Sequence, residues 1–136
     1  MNRATLLGYQ LLTGLSDTST GALLMIAPGL TLRLMRLHSP SDARTFISFI
    51  GAFVLSVGLA CLYGALVVVC KGCHSKVEIV WLLTAFTRAS VAIFVVAQVL
   101  VSTLEVGWLT VAVADGACVL IQGMGLHKGW LARATR

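Results

Sequence analysis

The chain is a series of long apolar runs separated by short polar joints. Four stretches, at about 4–27, 45–70, 77–100 and 107–127, stay apolar over the ~20 residues that a helix needs to cross the hydrocarbon core of a bilayer. This pattern predicts an all-α fold, an integral membrane bundle of four transmembrane helices forming a single transmembrane domain over residues 1–136. Pro28-Gly29 should stop the first helix, because proline lacks a backbone donor and glycine loosens the chain that follows. The next piece, "LTLRLMRL" at 30–37, sets Arg33 and Arg36 one turn apart among apolar residues, which suits a short interfacial helix; a frayed end of the first helix fits the same letters. "SPSD" at 39–42 supplies a turn and a cap for the second helix. The joint between the third and fourth helices is only about six residues, so those two should be antiparallel neighbours. The first run is too long for a secretory signal, carries Asp17 in its middle and shows no small-residue cleavage site, so it is expected to stay attached.

Within the second run no residue is charged, and Ser48, Ala52, Ser56, Ala60 and Gly64 recur every four positions. Small residues let a neighbouring backbone come close, which is how helices pack in lipid. The ladder marks this helix as a packing element, against another helix of the chain or through self-association or another membrane subunit.

Composition agrees with the membrane assignment: 58% of the residues are hydrophobic and only 11% charged, outside the soluble globular range. The net charge of +5 implies no nucleic acid, since the basic residues fall in joints and tails. Arg3, Lys71, Lys76, Lys128, Arg133 and Arg136 would share one side, with Arg33, Arg36 and Arg44 on the other. The positive-inside rule then puts both termini, and the 71–76 loop, in the cytoplasm. Trp81 and Trp130 are expected at the inner interface and Trp108 at the outer one, and the basic tail "GLHKGWLARATR" is expected to rest on anionic lipid.

Three ionisable residues fall deep in the runs: Asp17 in the first, Arg88 in the third and Asp115 in the fourth, each near the midpoint of its segment. A lone charge there costs at least roughly 2.5–3.5 kcal/mol, so such groups turn inward and find partners. The simplest arrangement is Arg88 between the two carboxylates, with one aspartate protonated or a cation or ligand donor held beside it. Gln10, Thr13, Gly14, Thr20 and Gly21 lie one and two turns from Asp17; Gln122 lies two turns from Asp115, and Thr84 one turn from Arg88. The candidate site is therefore Asp17, Arg88, Asp115, Gln122 and Thr13. A structural clamp fixing helix register is the competing account of the same charges.

"LLTGLSDTSTGALLMIAPGLTLRLM", with an acidic residue in a Gly/Thr-rich helix before a proline stop, and "WLLTAFTRASVAIF", with its buried arginine, resemble the DoxX-like group of small bacterial inner-membrane proteins. The resemblance spans most of the chain through loose motifs. It implies a four-helix bundle and a quinone-side role for the interior around Asp17, Arg88 and Asp115, since some members are thought to be membrane subunits of quinone-reducing enzymes, including thiosulfate oxidation. It supplies no catalytic residue.

The stretch "CKGCH" places Cys70, Cys73 and His74 in the C-x-x-C-H spacing of a c-type haem attachment. Such haem is attached outside the membrane, whereas the charge distribution puts this loop inside, and a joint of about six residues has no room to wrap a porphyrin. Thiol chemistry passing electrons to a quinone would want a second exposed pair, while Cys61 and Cys118 lie within spans and read as small core residues. A zinc site lacks a fourth ligand nearby. His38 and His127 sit at helix ends as interfacial residues, not as haem ligands in mid-membrane.

These readings converge on a non-catalytic membrane subunit, or a module binding a small ligand such as a quinone or lipid, with no metal and no other cofactor expected. The alternative is a membrane electron-transfer protein built on Cys70, Cys73 and His74.

Overall fold

In the computed structural model, which describes residues 2–38, 43–70 and 74–134, every regular element is helical. The order is α1 (Arg3–Ile26), α2 (Pro28–Leu34), α3 (Arg44–Val69), α4 (His74–Leu100), α5 (Leu109–His127) and α6 (Trp130–Ala134), with a 3-10 turn at Val106–Trp108 before α5. Three stretches, Arg44–Val69, Ser75–Leu100 and Val106–His127, are long and apolar enough to cross a membrane. The turn and cap assigned to 39–42 lie outside the described residues.

The breaks follow local chemistry. Asn2 caps α1, its side chain accepting from the Thr5 amide at 2.8 Å, and α1 stops at Ile26 because Pro28 opens α2 as a new N-terminal residue. α2 closes by the Leu37 amide donating to the Leu32 carbonyl at 2.8 Å, around Arg36 at φ 57°. α4 ends the same way, Thr103 to Gln98 at 3.0 Å around Ser102 at φ 59°. At the other end of the molecule Arg3 donates to the Val68 and Val69 carbonyls at 2.9 Å each, so one of the basic residues counted for topology also caps the C-terminus of α3.

α1 lies along α3 at very short range. A Cβ on Gly51 would meet Leu24 Cβ at 2.8 Å, one on Gly21 would meet Leu55 Cα at 2.7 Å, and one on Gly58 would meet Thr18 Cα at 2.9 Å. The ladder predicted from the sequence is not this seam. Ser56 is exposed and Ala52 and Ala60 are only half-buried, whereas Ile47, Gly51, Gly58, Cys61 and Ala65 are buried. The reason is helical pitch: a strict four-residue repeat advances about 40° per step beyond a full turn, so the ladder winds around α3 and only Gly64 reaches the interior.

Two apolar clusters sit at the two ends. One joins Leu6, Val67, Val68, Val77, Trp81 and Leu131; the other joins Leu24, Leu32, Leu37 and Ile47, with Trp108 packed against it. Trp81 is therefore not an interfacial belt residue: it is fully buried, edge-on to Tyr9 with ring centroids 5.4 Å apart. The apolar side of the tail packs inward. Gly129, at φ 60°, turns the chain so that α6 folds back and Leu131 is inserted, fully buried, into the first cluster.

Candidate functional site

Midway between the two clusters, α1, α4 and α5 bring the three charges together. Arg88, 6% exposed, donates through Nη1 to Asp115 Oδ1 at 2.6 Å and through Nη2 to Asp17 Oδ2. One guanidinium edge thus bridges two helices that flank α4, a geometry suited to arginine because its planar fork projects two donors at a fixed angle. The carboxylates are less enclosed, at 19% and 16% side-chain exposure. Each keeps one oxygen, Asp17 Oδ1 and Asp115 Oδ2, that accepts no hydrogen bond among the described residues. With all three groups ionised the cluster would carry one excess negative charge.

Sulfur and phenol groups lie near it. Cys61 and Cys118 both lie within electrostatic reach of the guanidinium, and Tyr9 faces Cys118. Thr13, named from sequence as a site residue, turns its hydroxyl back to donate to the Tyr9 carbonyl at 2.8 Å and borders Cys61 rather than the charges. Gln122 is likewise separate from the charges: it lies two turns along α5 from Asp115, where its Nε2 donates to Thr84 Oγ1 at 2.8 Å, and Thr84 donates on to the Val80 carbonyl at 2.7 Å. The five sequence candidates therefore divide into three that touch, one in an adjacent polar layer and one turned into its own helix.

That adjacent layer joins Gln10, Thr84 and Gln122, which the sequence places near the charges, with Trp81, which it does not. Gln10 is fully buried against Gly64 of α3, with neither its amide nitrogen nor its amide oxygen hydrogen-bonded among the described residues. Gln122 Oε1 and Trp81 Nε1 are unpartnered too. Because α1 and α4 run away from the end that carries Leu6 and Leu131 while α5 returns to it, Gln10, Thr84, Trp81 and Gln122 all lie on the same side of the charges. This polar layer runs from the charged cluster toward the α6 end, while on the other side of the charges Thr18 Oγ1 is buried without a hydrogen bond among the described residues and the buried Thr31 donates to the Ala27 carbonyl at 3.0 Å. A signal for Trp81 existed: it stands seven residues before Arg88, on the stripe that also carries Val77 and Thr84. Its aromatic size suggested an interface instead.

Cys70, a free and exposed thiol, sits just past the end of α3. Cys73 and the His74 side chain lie outside the described residues. Among the described residues no group of three or more His, Cys, Asp or Glu side chains is placed to hold a metal. His38 is on the surface, 3.5 Å from Glu105.

Set against protein-family models, curated proteins and solved structures, the chain matches none of them.

Proposed function

We propose that the chain is a four-span integral membrane protein of DoxX-like type, with both termini cytoplasmic in an inner membrane, acting as a non-catalytic subunit or ligand-binding module for a small polar-headed molecule such as a quinone. α1 is the fourth span in this reading. Its 24 residues extend about 36 Å, its outward positions include Leu12, Leu15, Leu23 and Ile26, and outward Ser19 donates back to the Ser16 carbonyl at 2.9 Å. The same inward turning of hydroxyls holds at Ser56, Thr87 and Ser90 on the other long helices, as a hydrocarbon surroundings requires.

The observation that carries the ligand reading is the polar layer on the α6 side of the charges: carboxylates that each keep one oxygen without a hydrogen bond among the described residues, and two turns along α1 a fully buried Gln10 amide that has none there either. A clamp alone needs the ion pairs but not an idle amide, because an unsatisfied buried polar group costs about 1–3 kcal/mol. A quinone carbonyl would accept from such an amide, and its hydroxyl form would donate to a carboxylate.

The test is titration of a short-chain benzoquinone into the detergent-purified protein, read by quenching of tryptophan fluorescence. Saturable quenching that weakens in Asp115→Asn and Gln10→Met, with helix content unchanged, is the expected result. Linear, unsaturable quenching in the wild-type protein would remove the quinone reading.

A further inference from the structure

At the end opposite α6, a cavity of about 490 Å³ opens between α1, α2 and the start of α3, lined by Ala27, Pro28, Leu30, Leu32 and Leu37 together with Arg33, His38 and Arg44. We propose that this cavity is a binding site for an anionic phospholipid, with the phosphodiester held by Arg33 and Arg44 and the first acyl carbons against Leu30 and Pro28.

Three observations converge on that occupant. The lining combines basic side chains, Arg33, His38 and Arg44, with aliphatic carbon, the two chemistries of a headgroup joined to a chain. Its depth is right as well. The cavity lies where α1 ends and α3 begins, at the terminus of a helix long and apolar enough to cross the membrane, so it falls in the headgroup zone. The charge balance also favours an anion. Arg33 and Arg44 are both exposed, and among the described residues neither guanidinium has an ion-pair partner. Among the described residues the acidic group beside the site is Glu105, 3.5 Å from His38. Arg36, exposed and outside the lining, adds to the positive field.

Apolar surface continues from the cavity in the direction a chain would take. Ile26 is 83% exposed and Leu30 55%, on the segments where α1 gives way to α2. The break at Ala27, where Pro28 opens a new helix, sets most of the lining residues on a short separate segment. This site is separate from the charged cluster and does not depend on the quinone reading.

The experiment is native mass spectrometry of the full-length protein released from nanodiscs of equimolar phosphatidylglycerol and phosphatidylcholine. The expected result is preferential retention of phosphatidylglycerol, lost on the order of tenfold in Arg33→Gln/Arg44→Gln, where two lipid-facing charges are removed. Arg36→Gln should retain most of the preference, which separates a site from a general positive field. Circular dichroism checks that each variant keeps its helix content. Equal retention of the two lipids by the wild-type protein, or an equal loss in Arg36→Gln, overturns the proposal. So would displacement of the lipid by millimolar inorganic phosphate, which would make the cavity a site for a free anion.

Discussion

The seam between α1 and α3 and the charged cluster that joins α1 to α4 and α5 hold the same helix by opposite means. Along the seam, Gly21, Gly51 and Gly58 remove every side-chain atom that would keep two backbones apart, and the attraction is the sum of many weak contacts at close range. At the cluster the helices stay farther apart, and two charge-assisted hydrogen bonds through a long arginine span the gap. The seam fixes position through shape and tolerates no added atom. The cluster joins α1 to α4 and α5 through charge, and one oxygen of each carboxylate accepts no hydrogen bond among the described residues. One face of α1 therefore packs against α3, and another carries the ion pair to α4.

The largest effect should come from breaking the cluster. Arg88→Leu strands two buried carboxylates and should destabilise the fold by about 3–5 kcal/mol, while Arg88→Lys, keeping the charge but not the fork, should lose less. Thermal unfolding in detergent, followed by circular dichroism, measures both. If the two variants melt with the wild type, Arg88 does not hold the helices in register.

Next comes the seam. Gly58→Leu places a Cβ 2.9 Å from Thr18 Cα, where backbone must move, and should cost about 3 kcal/mol because overpacking against backbone cannot be relieved by a rotamer change. Resistance to proteolysis of the α2–α3 joint should fall with it. A wild-type digestion pattern would show that α1 and α3 can separate without loss of structure.

The smallest effect is expected at Ser56→Leu, on the exposed side of α3, where the only interaction removed is the hydroxyl's 2.8 Å bond to the Ala52 carbonyl of its own helix. Its melting temperature should shift within measurement error, since surface changes away from special features rarely exceed about 0.5 kcal/mol. A large loss at Ser56 would mean that the four-residue ladder is an interface after all, most simply with a second copy of the chain, and analytical ultracentrifugation of the variant would then show the assembly dispersing.

Much of the architecture was legible in the residues. Apolar run length, Pro28 and the polar joints place the helices with bounds within a few residues of those observed, because a span must be long and uncharged and because proline ends a helix by removing its donor. The need of Asp17, Arg88 and Asp115 for one another was legible too, since charges at one depth in apolar segments have few other places to go. Tertiary structure decided what those rules leave open. Rotation about each helix axis is set by the sum of contacts, so only the packed fold could show that Gly51 and Gly58, not Ser56, face α1. It also turned Trp81 inward onto Tyr9, folded Leu131 back among the helix ends, and left Gln10 buried without a hydrogen-bond partner among the described residues. Sequence spacing specifies which residues share a face of one helix; which neighbour that face meets, and how closely, follows only when all the helices pack at once.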